Sequence, residues 1–203
     1  MELHNGEFKI VKADETDLDV REQMGQIFAD GFSQWLNFFS KDKQVIAKAF
    51  QHMFVLDKFY VAVINGEGAG VTACTKRNHS SVKLNKKELR KHLGLYKGTL
   101  AGLLLKKPFE KYHENLLENT GAIEFVGTAQ KFQGRGVASE LIQYIIENTS
   151  YYNYIIDDVA DTNVPAIKLY EKLGFEEYDR TEMPGASAKN NGMNYLVSFK
   201  YMN

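Results

Sequence analysis

Apolar residues recur along this chain with two periods, one helical and one extended, and the switches between them mark most of its elements. Phe8-Lys9-Ile10-Val11 reads as a short first strand. Asp14 stands in N-cap position for the helix that follows, with Asp17 three residues on. From Leu18 to Phe39 the spacing is helical, through Val20, Met24, Ile27, Phe28, Phe32, Trp35 and Leu36. Gly25 and Gly31 weaken that helix, and Gly31 is a candidate break. Asp42 to Phe54 reads as a second helix with Val45, Ile46, Ala49, Phe50 and Met53 on one face. Phe59 to Ile64 is a strand, Asn65-Gly66-Glu67-Gly68 a turn, and Ala69 to Thr75 its hairpin partner.

The segment 78–121 is less regular. It is rich in Lys and Leu, with Gly94, Gly98 and Gly102 scattered through it, and it predicts helices around 85–93 and 108–118. Regularity returns afterwards. Ile123 to Thr128 is a strand, Val137 to Asn148 a helix with Leu141, Ile142, Ile145 and Ile146 inward, and Tyr154-Ile155-Ile156 a short buried strand. Ala166 to Leu173 is a helix closed by Gly174, a good residue to follow a helix end. Phe175 to Glu182 and Tyr195 to Tyr201 are final strands joined by a Gly- and Asn-rich loop. Strand-helix-strand order in this half implies a parallel pair with a right-handed crossover, hence an α/β class.

Composition narrows the function. The 203 residues suit one sizeable domain, and a net charge of -1 gives the whole molecule no electrostatic case for nucleic acid. One cysteine, Cys74, leaves no internal disulfide and points to a reducing compartment. Met1 to Lys12 has no apolar run of the secretory kind, and no stretch approaches the ~18 apolar residues that span a bilayer. A cytoplasmic protein without membrane partners is the expectation.

The informative segment is Ile123 to Ala138, a strand that runs into a glycine turn and opens a helix. A helix N-terminus carries unpaired N–H groups and the positive end of the macrodipole. Small residues let a phosphate approach that backbone. Gly134, Gly136 and Ala138 alternate there, so the turn suits a pyrophosphate or, more blandly, a tight connection with no ligand. It has neither the Gly-Lys-Ser/Thr of a P-loop nor the third glycine of a dinucleotide fingerprint. It does fit Gln/Arg-x-x-Gly-x-Gly/Ala, at Gln133, Gly136 and Ala138.

About 25 residues on stands Asn163-Val164-Pro165-Ala166-Ile167-Lys168-Leu169-Tyr170-Glu171-Lys172-Leu173-Gly174-Phe175. Together the two segments resemble the GNAT family of acyl-CoA N-acyltransferases, in which that loop precedes N-x-x-A-x-x-x-Y-x-x-x-G-F. The specific likeness covers roughly 122–176; the preceding half agrees only in element order. The resemblance implies a single domain over 1–203 with a mixed sheet of about seven strands, flanking helices and parallel central strands that splay. Residues 1–121 would form the acceptor side, with 78–121 as a helical insertion serving as lid or dimer element, and 122–203 the acyl-CoA side. It implies acetyl-CoA as co-substrate. The pantetheine arm would lie along Val126, Gly127 and Thr128, and the pyrophosphate on the amides of Gln133, Gly134, Arg135, Gly136, Val137 and Ala138. Asn163 and Ala166 would contact the cofactor near the next helix. Tyr170 would protonate the departing thiolate, and Glu124 is the candidate general base, placed on the same side of its strand as Val126. Proline often follows this strand in the family; Gln130 stands here. The reaction implied is direct attack of a primary amine, from a small molecule or a peptide, on the thioester in a ternary complex. Family members often pair, so a homodimer is compatible. A non-catalytic acyl-CoA-binding module of the same fold is the alternative.

Other candidates carry less. Cys74 lies in a strand pattern and reads as a buried apolar residue. The five histidines show no metal-ligand spacing, so no metal is expected. Asp157-Asp158 either ends its strand or touches the amine. Lys83, Lys86, Lys87, Arg90 and Lys91 form a basic helix face. Phe28, Phe32, Trp35, Phe38 and Phe39 either fill the core or line an acceptor pocket.

Overall fold

The computed structural model describes residues 8–185 and 192–202. Seven strands form one mixed sheet: β1 (Lys9–Lys12), β2 (Phe59–Ile64), β3 (Glu67–Thr75), β4 (Thr120–Thr128), β5 (Asn153–Ala160), β6 (Glu176–Glu182) and β7 (Tyr195–Met202). Their order is β1-β2-β3-β4-β5-β7-β6. Every pairing is antiparallel except β4 with β5. The helices are α1 (Val20–Leu36), α2 (Lys43–Phe50), α3 (Lys86–Leu93), α4 (Leu95–Leu104), α5 (Lys106–Phe109), α6 (Val137–Asn148) and α7 (Val164–Lys172). Part of the Gly- and Asn-rich loop before β7 lies outside the described residues.

Local chemistry fixes most boundaries. Asp42 caps α2 by accepting from the amides of Gln44 and Val45, and Asn85 caps α3 in the same way. Asn65 and Gly66 both take positive φ, 49° and 81°, the two-residue turn that matches the twist of a hairpin. Gly174 (φ 88°) lets the chain leave α7, with the Phe175 amide donating back to the Tyr170 carbonyl.

Several expectations need correction. Asp19, not Asp14, caps the first helix, its carboxylate accepting from the Arg21 amide. That helix runs unbroken through both glycines. Gly25 lies against α2, where an added Cβ would meet the Ala47 carbonyl oxygen at 2.9 Å, so it serves helix contact. The helix expected over 108–118 is absent; α4 and α5 precede it, and the chain beyond Phe109 is turns. The glycines that made this stretch look irregular are packing residues. A Cβ at Gly98 would sit 2.5 Å from the Arg90 backbone of α3, and one at Gly102 would meet Lys86 at 2.7 Å. β4 begins earlier than expected and β5 runs on to Ala160, so Asp157-Asp158 does not end its strand.

The sheet is covered on both faces. On one, α1 to α4 bury Met24, Phe28, Leu36, Phe50, Phe59 and Leu89 against Val71 and Ala73. On the other, α6 and α7 bury Leu141, Ile142, Ile145 and Tyr170 against Ile123, Ile156 and Phe199. Phe28, Phe32 and Phe39 of the aromatic group belong to the first core, while Phe38 is 61% exposed. Among the described residues no helix is long and apolar enough to cross a membrane.

Candidate functional site

The parallel pairing of β4 and β5 lasts three residues, Thr120 to Ala122 against Asn153 to Ile155. Beyond it each strand keeps its outer partner only, β4 to Thr128 on β3 and β5 to Ala160 on β7. The facing edges therefore diverge, with ladder groups on both sides left without a strand partner. Burial changes at the same point: Thr120 to Ile123 are buried and Glu124 to Thr128 half-buried. Backbone groups shielded from water need acceptors and donors, so the opening suits an extended ligand that bonds like a strand.

Phe125 creates a bulge in β4. Its φ is 52°, and the β3 register shifts from Ala73 opposite Glu124 to Val71 opposite Gly127. A bulky residue at positive φ costs on the order of 1–3 kcal/mol. The Phe125 ring packs among Phe28, Phe32, Phe59 and Phe109 at centroid distances of 5.7–6.3 Å, which offsets it. The bulge also overturns the expected alternation. Glu124 and Phe125 both face the α1–α4 side, whereas Val126 packs with the α6–α7 core. Glu124 and Val126 thus do not share a face.

Glu124 is enclosed, its side chain 12% exposed. One carboxylate oxygen lies 2.8 Å from Nε2 of His113, and the other accepts from the Thr75 hydroxyl at 3.4 Å. His113 sits on the α5–β4 connection at φ 44°, its side chain 9% exposed. Its Nδ1 is 3.9 Å from Oδ2 of Asp157 on β5, and Oδ1 of Asp157 accepts from the Tyr178 hydroxyl of β6 at 2.7 Å. Lys111 pairs with Asp158, a second bulge at φ 59°, strapping the same connection to β5. His113, Asp157 and Tyr178 share the lining of a cavity of about 420 Å³ beside the splay. Sequence spacing does not reveal His113, which belongs to the irregular segment and reaches Glu124 only through the fold. Asp157 was one of two open alternatives, and its place in this cluster settles it as part of the opening.

The glycine turn lies beyond the end of β4. Gly134 (φ 75°) and Gly136 (φ 81°) both need the left-handed region, and an added Cβ at either meets nothing within 4 Å. Gln133, Gly134, Arg135 and Gly136 are exposed, Val137 is buried and Ala138 half-buried. No side chain caps α6, and among the described residues the amides from Gly134 to Ser139 donate to no acceptor. That row of N–H groups at the start of a 12-residue helix fits a diphosphate. The Arg135 guanidinium and the Lys131 ammonium lie over the Phe132 ring at 5.6 and 5.0 Å, which holds positive charge beside the turn.

Asn163 caps α7, accepting from the Ala166 amide at 3.4 Å, and both flank the α6–α7 side of the opening. Tyr170 is 5% exposed against Phe175 and Phe199, and burial pushes its phenol well above the ordinary range. It therefore stays protonated. Cys74 is buried; desolvation, then the Glu124 charge, push its thiol up to about 12, which makes it a poor nucleophile. Among the described residues no group of His, Cys, Asp and Glu is arranged to hold a metal.

The chain matches the model of the acetyltransferase (GNAT) family over residues 22–175. No curated protein matches it. Solved structures do, at low identity. An N-acetyltransferase from Staphylococcus aureus Mu50 is 16% identical with a TM-score of 0.61, over 95% of this chain and 100% of that one. An agmatine N-acetyltransferase is 13% identical with a TM-score of 0.58, over 97% and 100%. The ribosomal-protein-S18-alanine N-acetyltransferase from Escherichia coli is 14% identical with a TM-score of 0.52, over 96% and 93%. These likenesses show the fold, and the family match spans most of the sequence. With a splayed parallel pair leading to an uncapped helix, the chain belongs to the GNAT family of acetyltransferases.

Proposed function

We propose that this protein is an N-acetyltransferase that moves the acetyl group of acetyl-CoA to a primary amine by direct attack within one ternary complex. The observation that carries this reading is the splay itself, open to both faces of the sheet and ending at the free amides of α6. The diphosphate would rest on residues 133–138, and the pantetheine arm would bond along Val126, Gly127 and Thr128. Asn163 and Ala166 would flank it. The thioester would then lie between two faces carrying opposite proton functions. Glu124 supplies negative charge for the amine's proton on the α1–α4 face, and Tyr170 offers a proton to the sulfur from the α6–α7 face. Holding both reactants in line supplies much of the acceleration. Because burial keeps the Tyr170 phenol protonated, its proton moves only as the carbon–sulfur bond breaks. Two structural neighbours are named for amine acceptors, agmatine and a protein alanine, which supports an amine here without choosing one.

Calorimetry with acetyl-CoA and a thiol-release screen over amines test the reading. Binding followed by turnover is expected; tight binding with no turnover on any amine would make this a binding module. Tyr170→Phe keeps the ring and its packing. It should lower kcat by about 10²-fold while leaving acetyl-CoA affinity within about twofold, and an unchanged kcat would remove its acid role.

A further inference from the structure

Resting on the acetyltransferase reading, we infer that His113 is the residue that takes the acceptor's proton. Glu124 then orients its ring, and Asp157 shares the amine. The geometry decides the roles. An ionised Glu124 only accepts, so its 2.8 Å contact with Nε2 requires the imidazole proton there. The lone pair of neutral His113 is then on Nδ1, directed toward Asp157. Nδ1 and Oδ2 of Asp157 are 3.9 Å apart, too far for a hydrogen bond and both acceptors in this state. A single ammonium nitrogen ~2.9 Å from each bridges them with two of its N–H bonds. Tyr178 already occupies the other Asp157 oxygen and fixes the carboxylate. The cavity lined by His113, Asp157 and Tyr178 provides the approach.

The proton balance closes. The ammonium gives one proton to Nδ1, leaving imidazolium between the carboxylates of β4 and β5. The freed lone pair forms the carbon–nitrogen bond, the carbon–sulfur pair leaves on sulfur, and sulfur takes the Tyr170 proton. The amide nitrogen's surplus proton goes to water, and imidazolium and tyrosinate then exchange the other one through solvent. Glu124 and Asp157 are the charged groups that face the ring; Lys111 and Glu114 flank it on its own connection, and Lys200 of β7 lines the cavity beyond. Lys111 is held by Asp158, so no cation competes for the Nδ1 position among the described ion pairs. The acceptor class is accordingly an amine that arrives as an ammonium ion.

The test compares His113→Gln with the unchanged enzyme, using acetyl-CoA with n-butylamine, which arrives protonated, and with hydroxylamine, which arrives neutral. Expected are an unchanged acetyl-CoA affinity and a loss of about 10²-fold in kcat/KM for n-butylamine. The acid limb of the pH profile should vanish, and the hydroxylamine rate should fall by less than about fivefold. Equal losses for both nucleophiles, or an unchanged pH profile, would overturn the role. The imidazole ¹⁵N spectrum decides it where n-butylamine turns over too slowly to follow. A proton on Nε2 and a shift of Nδ1 on adding n-butylamine support the role; an unmoved Nδ1 overturns it. Failure of acetyl-CoA to bind the unchanged protein would instead remove the acetyltransferase reading, and this inference with it.

Discussion

At the scale of single residues, backbone conformation matters as much as side-chain identity. Gly136 sits at φ 81° with open space where a Cβ would go. Alanine there meets no atom and costs only the left-handed strain, ~1–2 kcal/mol of stability. Aspartate adds a negative charge where the diphosphate belongs. Gly136→Asp should therefore weaken CoA binding by at least about tenfold, while Gly136→Ala keeps affinity within about threefold; calorimetry on both measures the difference. Equal affinities would place the diphosphate elsewhere. This loop was legible because its constraint is local: alternate small residues at a strand-to-helix turn. Glu124 was legible as a residue but not in its direction, because the Phe125 bulge is a tertiary event. Nothing in the residues 123–128 distinguishes a bulged strand from a straight one; the aromatic cage that holds Phe125 comes from α1, β2 and α5.

At the scale of elements, the insertion between β3 and β4 is held by a few polar contacts. The Asn85 amide at the start of α3 donates to Nε2 of His52 at 2.9 Å, so that ring is neutral in the fold. Burial holds the His52 pKa below its usual 6.5, outweighing the Ala49 carbonyl and Glu88, which pull it upward. The sign follows from linkage. As pH falls through about 6.5 the unfolded chain binds this proton before the folded one does, so stability falls with pH in that window. Glutamine keeps an acceptor without titrating. The Tm of His52→Gln should drop less between pH 7.5 and 5.5 than that of the unchanged protein; equal slopes would show that other groups govern the acid side. The insertion also marks where periodicity failed. α3 was readable from its Asn cap and one-sided pattern, but α4 was hidden by Gly98 and Gly102, which exist to let two helices touch. Glycine lowers helix propensity and permits close packing at once, and a lone sequence shows only the first effect.

At the scale of the whole molecule, one sheet carries strands from both halves of the chain and opens at its centre. A ligand that completes the opening couples those halves. Saturation at about 100 times its dissociation constant adds ~2.7 kcal/mol, or about 5–10 °C in Tm for a chain of this size. Amide hydrogen exchange should slow in two places, the β4 residues 123–128 and the turn 134–139. Protection confined to other segments would contradict the placement of CoA. The strand-helix-strand order and the two motifs made this architecture readable in advance. The acceptor side was not, because Glu124, His113, Asp157 and Tyr178 come from four separate elements that only the topology assembles.

The kink at Phe125 makes β4 a strand measured by count. Removing any one residue between 124 and 127 would restore plain alternation and rotate everything downstream by half a turn. Gly127 now lies where an added Cβ would strike Ile27, so the rotated strand would drive a larger neighbour into α1. Single exchanges along this stretch leave the tally intact, whereas a one-codon deletion resets it for the entire path to the glycine turn.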